Sequence, residues 1–113
     1  NQMRMPLQYC NLSFLFFQIL LYLVAGSSAT VDCNYSIIGY NQILWYKNPI
    51  GDSTLKLIGY VYYTTVTLES EFRDRFNISG DGTKESELRV DKLQPEDSGV
   101  YYCAAVGSHH SQP

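Results

Sequence analysis

The residue types that do chemistry are present in this sequence, but they are scattered. Ser, His and Asp all occur in the 113-residue chain, yet no nucleophile elbow, glycine-rich phosphate loop or paired-carboxylate signature links them. His109 and His110 stand side by side on a terminal tail, and such a pair without a third ligand seldom holds a metal. The acidic side chains, Asp97 among them, have structural explanations. These patterns argue against an enzyme, a cofactor and a metal site. Three cysteines remain, Cys10, Cys33 and Cys103. Two Asn-x-Ser sequons, Asn34-Tyr35-Ser36 and Asn77-Ile78-Ser79, make Asn34 and Asn77 candidates for glycosylation in a secretory compartment.

A net charge of -3 leaves no basic stripe, so nucleic acid is not an expected partner. The length allows one domain or less, and 45% hydrophobic residues is ordinary for a globular core. Tyr is unusually common, 10 against one Trp and five Phe. Tyrosine suits binding loops because it gives large contact area at low entropy cost, but it is also a favoured strand residue.

The elements that would hold these residues read as strands behind an apolar leader. Arg4 follows Met3 and precedes an apolar run from Leu12 to Val24, broken by Ser13, Gln18 and Tyr22. The run is about 13 residues long, the size of a signal-peptide core and short for a membrane span. Small residues for cleavage follow, from Ala25 to Ala29. Residues 1–26 are therefore expected to be a signal peptide with upstream read-through. Cys10 would leave with it, and Cys33 and Cys103 remain as an even number suited to an oxidising compartment.

Beyond the leader the hydrophobic period is two, the period of strands with one buried face. Val31 and Cys33 alternate with Asp32 and Asn34, and Ile43 and Trp45 with Leu44, Tyr46 and Asn48. The same holds for Phe76 and Ile78 about Asn77, and for Leu88 and Val90 about Arg89. Gly80-Asp81-Gly82 reads as a hairpin turn, and Glu69 to Arg73 as a charged turn.

One stretch organises the rest, Asp97-Ser98-Gly99-Val100-Tyr101-Tyr102-Cys103, with Cys33 upstream and Trp45 twelve residues after it. Together with Leu44-Trp45-Tyr46-Lys47, Leu55 to Tyr60, Arg75 to Gly82 and Pro95 to Ala105, it resembles immunoglobulin variable domains. It is most similar to bony-fish T-cell receptor beta variable segments, over roughly Gly26 to Val106. The resemblance implies an all-β, two-sheet Greek-key sandwich of the V type over residues 27–106, followed by a non-domain tail, 107–113.

It also implies a Cys33–Cys103 disulfide closing about 70 residues, packed against Trp45 in a core shared with Tyr101 and Leu88. Tyr101 would send its hydroxyl back to the preceding turn, Gly99 would let the chain bend there, and Arg75 would form a salt bridge with Asp97. Tyr46, Asn48, Leu55 and Tyr102 would meet a second variable-domain chain. Asn48 stands where the family usually has Gln, one methylene longer. The antigen loops would be Ser36, Ile37, Ile38, Gly39, Tyr40 and Asn41, and Tyr62, Tyr63, Thr64 and Thr65 with the two residues beyond. The ligand would be a peptide–MHC complex, met at the plasma membrane, with signalling subunits engaged through regions outside this chain.

Two departures bear on this reading. Nothing after Cys103 matches the Phe-Gly-x-Gly of strand G, so the chain reads as a germline segment not yet joined. Gly26 to Cys33 already resembles the start of strand B, so strand A is either missing or replaced by the hydrophobic run. Both sheets would then carry bare edges. A non-rearranging innate receptor or adhesion domain on the same fold is the alternative, and a recombination signal in the flanking DNA separates the two.

Overall fold

The computed structural model describes residues 2–6, 14–19, 27–36, 38–49 and 51–107. The described strands are β1 (Gln2–Pro6), β2 (Phe14–Ile19), β3 (Ala29–Asn34), β4 (Gln42–Pro49), β5 (Lys56–Tyr62), β6 (Thr65–Leu68), β7 (Phe76–Asp81), β8 (Glu85–Val90) and β9 (Gly99–Val106). They form two sheets, ordered β1-β3-β8-β7 and β2-β9-β4-β5-β6. Pairing is antiparallel except between β1 and β3. Single 3-10 turns cover Ser70–Phe72 and Pro95–Asp97.

The alternation read from the sequence is the alternation of burial. Val31 and Cys33, Ile43 and Trp45, Phe76 and Ile78, and Leu88 and Val90 all face the space between the sheets. Each large aliphatic or aromatic side chain buried there stabilises by roughly 1.5–3 kcal/mol. The Cys33–Cys103 disulfide joins β3 to β9, one sheet to the other, across a sequence separation of 70. Trp45 is 1% exposed and lies directly opposite Cys103 in the β4–β9 register. Its indole N–H donates to Ser86 Oγ at 2.9 Å, and that hydroxyl donates to Ser79 O, also at 2.9 Å. The tryptophan thus carries its one polar atom into the core with a partner.

β4 runs two residues past Lys47, because β9 stays paired with it as far as Pro49↔Gly99. β5 continues to Tyr62 and turns back through Tyr63-Thr64, with Tyr63 at φ 54°. A positive φ is what a two-residue hairpin turn needs. Gly99 serves close packing: a Cβ there would lie 2.6 Å from Asn48 O on β4.

The N-terminal placement bears on a point the sequence left open, whether strand A is missing or replaced by the apolar run. The described part of the apolar run does not lie beside β3, where strand A would pair. Residues Phe14–Ile19 pair antiparallel with β9, in register from Phe14↔Ala104 to Ile19↔Gly99. It is β1 that lies beside β3, in parallel, from Gln2↔Thr30 to Pro6↔Asn34. Among the described residues no strand follows β9, and β2 holds the edge such a strand would take. The edges of β3 and β9 are therefore not bare. An open edge presents a row of unpaired N–H and C=O groups, and a segment rich in Phe is suited to add to it.

Candidate binding surfaces

The end of the sandwich opposite the β3–β4 and β5–β6 connections is locked by a charged cluster. Arg75 precedes β7, and its guanidinium meets Asp97 fork to fork, Nη1 to Oδ2 and Nη2 to Oδ1, both at 2.8 Å. Asp97 is 1% exposed, in the 3-10 turn before β9. Its Oδ2 also accepts the Gln94 N–H at 2.8 Å, while Arg75 Nη1 donates to Asp91 O at 3.1 Å. The hydrogen bond to Asp97 raises the Arg75 pKa above its ordinary value. The Tyr101 hydroxyl donates to Asp97 O at 2.6 Å. Burial, and then the Asp97 charge, push the Tyr101 phenol above its ordinary value.

Lys47 belongs to this cluster, and the sequence reading passed it by. It is 6% exposed and its Nζ donates to Glu96 O at 2.6 Å. Burial pulls its ammonium below the ordinary lysine value, with Asp97 the largest opposing influence. The available signal was parity, since Lys47 follows Ile43 and Trp45 at intervals of two.

The outward face of β9-β4-β5 carries the residues assigned to a partner chain. Tyr46 and Tyr102 are directly opposed in the β4–β9 register and half-buried. Asn48 lies on the same face, two residues along β4. Leu55 is exposed and stands just before β5. The residue facing Tyr46 across β4–β5 is Leu57, because a bulge shifts the register between Trp45↔Gly59 and Tyr46↔Leu57. Sequence alone did not show that shift. The Asn48 amide turns back on its own chain, donating to Asp52 O at 2.9 Å and Thr54 O at 2.6 Å.

The loops assigned to antigen gather at one end. Tyr63 N–H donates to Asn41 O at 3.0 Å, tying the tip of the β5–β6 hairpin to the chain entering β4. The turn after β7 is bolted to the hairpin tip and to the residue after β3: Gly82 N–H donates to Tyr63 O at 2.7 Å, and the Tyr35 hydroxyl donates to Gly82 O at 2.6 Å. Ile38 is 96% exposed, and Tyr62 and Tyr63 are exposed and meet edge to face. Ser36, Gly39, Thr64 and Thr65 are exposed as well. Asn41 is buried, and Tyr40 is half-buried and packed against the core. Between these segments lies an open hollow of about 520 Å³ bordered by Ile38, Tyr40, Tyr63 and Lys84. Ile37, His109, His110 and Cys10 lie outside the described residues. Among the described residues no group of three or more His, Cys, Asp or Glu is placed to hold a metal ion. Among the described residues no helix is long and apolar enough to cross a membrane.

Two sheets stapled by a buried disulfide beside one tryptophan, and a corner tyrosine bonded to the turn before its strand, define an immunoglobulin-type domain. A family model for the immunoglobulin V-set domain matches residues 21–112. The chain belongs to the immunoglobulin V-set family. Domains of this family are typically extracellular or cell-surface binding modules, commonly parts of antigen or surface receptors, and often pair with other immunoglobulin domains.

Proposed function

We propose that this chain is the variable domain of a T-cell receptor beta-like antigen receptor, pairing with a second variable chain and reading a peptide–MHC complex at the cell surface. The observation that carries the reading is the Tyr63–Asn41 backbone bond. It sets two loops side by side at the end of the sandwich, with Ile38, Tyr62 and Tyr63 exposed above it. Large apolar and aromatic side chains held in the open by a rigid frame suit a protein ligand. The partner chain covers Tyr46, Asn48, Leu55, Leu57 and Tyr102. Residues 1–26 direct secretion. Ala29 is buried as the first residue of β3, so the signal is cut on its N-terminal side.

The test is co-secretion with T-cell receptor alpha-type variable chains, each chain carrying its constant domain. The reading expects a heterodimer that Tyr46→Arg abolishes, and peptide–MHC binding that Ile38→Asp and Tyr63→Ala weaken without disturbing pairing. Specific ligand binding by the unpaired domain would overturn it.

One observation favours a second reading. β2 pairs with β9 over six residues, so the chain itself fills the edge that a joined strand would occupy. A self-sufficient innate receptor or adhesion domain has that property. Flanking genomic DNA without a recombination signal would favour it.

A further inference from the structure

The sequon Asn77-Ile78-Ser79 lies on β7, and Asn34-Tyr35-Ser36 starts at the last residue of β3. Residues i and i+2 of a strand point to the same face and the residue between them to the other. Ile78 is buried in the core while Asn77 and Ser79 are exposed. Tyr35 is likewise buried while Asn34 and Ser36 are exposed. Asn34 ends β3 and Asn77 is the second residue of β7, the two strands flanking β8. The two asparagines therefore project from one surface, the outer face of β3-β8-β7. That face is polar: Asn34 stands opposite Glu85, Asp32 opposite Glu87, and Asn77 opposite Arg89. A shallow groove bordered by Asp32, Ser79 and Glu87 runs beside Asn34. The aromatic pair Tyr46 and Tyr102 is on the other sheet.

We propose that Asn34 and Asn77 both carry N-linked glycans, and that the pair shields the outer face of β3-β8-β7 from protein partners. The donor is a lipid-diphosphate-linked oligosaccharide. Asn Nδ2 forms a bond to the anomeric carbon of the first N-acetylglucosamine as the bond from that carbon to the diphosphate oxygen breaks. The lipid diphosphate leaves with the bonding electron pair, and the amide nitrogen loses one proton to a base of the transferase. This inference rests on the secretory part of the proposed function and adds which face is left for contact.

The experiment expresses the full chain in eukaryotic secretory cells and reads both secreted and cell-retained protein. Release by peptide N-glycosidase in ¹⁸O water should mark both positions, and Asn34→Gln or Ser36→Ala, and Asn77→Gln or Ser79→Ala, should each remove one glycan step in mass. Carboxyl footprinting with carbodiimide compares glycosylated and enzyme-released protein. Labelling of Glu85 and Glu87 should be severalfold lower in the glycosylated form, with Asp52 and Glu71 unchanged. Disulfide-linked, secreted protein unmodified at either asparagine overturns this inference alone, as does equal labelling of Glu85 and Glu87 in both forms. Protein left in the cytosol with free Cys33 and Cys103 overturns the secretory reading along with it.

Discussion

The Lys47 ammonium lies 5.8 Å from the centre of the Tyr101 ring and directly across the β4–β9 register from it. The same tyrosine gives its hydroxyl to Asp97 O, and Asp97 holds Arg75. Two cations, one buried carboxylate and one buried phenol therefore share the end of the sandwich away from the loops. Their hydrogen bonds tie β4, β9 and the chain entering β7 to the turn at Pro95–Asp97.

Asp97 is the member whose loss leaves the most behind. Asp97→Ala strips a partly buried guanidinium of its partner and leaves the Gln94 N–H without an acceptor. The expected loss is about 3 kcal/mol, well above a surface ion pair. Urea denaturation of the refolded, disulfide-intact domain measures it. A loss below roughly 0.5 kcal/mol, the scale of an exposed pair, contradicts the geometry.

The cluster also sets the alkaline behaviour. Tyr101 has a folded pKa above its unfolded value, so its contribution is fully present below pH 10.0 and is lost as pH rises toward the folded value. Lys47 has a folded pKa below its unfolded value. In the window beneath 10.5 the unfolded state binds more protons, and stability rises with pH there. Tyr101→Phe should lose about 1 kcal/mol at neutral pH for the missing bond to Asp97 O, and its stability should fall less steeply above pH 10.0. Lys47→Met should remove the rise on approach to 10.5. Thermal melts of the three proteins from pH 7 to 11 check both signs.

Much of this was legible. The period-two alternation marks which residues face the core, while the Cys33–Cys103 pairing beside Trp45 and the Arg75–Asp97 pair were legible through the resemblance to immunoglobulin variable domains. What the sequence did not show depends on tertiary register. Leu57 faces Tyr46 only because of the bulge in the β4–β5 pairing. Lys47 is inward by parity, but a lysine is rarely buried without partners, and those partners come from residues about fifty positions away. Tyr35 reads as the middle of a sequon, although its hydroxyl supports the turn at Gly82, 47 residues on.

The disulfide should account for a large share of net stability. Closing 70 residues stabilises by about 4 kcal/mol on loop entropy, comparable to the whole stability of a small domain. Cys33→Ala with Cys103→Ala should leave little folded protein at 37 °C. Non-reducing peptide mapping of the parent should show the linked pair, and free thiols at both positions in folded protein would contradict the fold as described.

Asn48 makes a separate prediction about pairing. Both its amide donors are engaged with Asp52 O and Thr54 O, and the shorter side chain reaches less far than the Gln usual in the family. Asn48→Ala should speed hydrogen exchange in the turn around Thr54, at a cost of about 1 kcal/mol or less because the bonds are exposed. In the heterodimer it should weaken pairing less than Tyr46→Ala does, as measured by sedimentation. The reverse order would show that the amide leaves its own turn to bond the partner.

The last prediction follows from β2. Six residues from Phe14 to Ile19 satisfy the edge of β9, the strand that carries Tyr101 and Cys103. If the segment preceding β3 is cut on secretion, that edge loses its covering strand when the domain leaves the compartment where the signal is removed. An uncovered, apolar edge invites pairing with another chain, and a joined strand would satisfy the same row of N–H and C=O groups. Protein beginning at Ser27 should therefore show faster hydrogen exchange along β9 than the full chain, and should form larger species on size exclusion. A peptide of residues 12–21 added in trans, or a strand fused after Val106, should restore both the protection and the monomer. The amides to follow are those of residues 99–104, because β2 spans that register and β4 continues past it to Val106. Equal protection of these amides with and without residues 1–26, in protein that stays monomeric, would show that β2 contributes nothing to the edge.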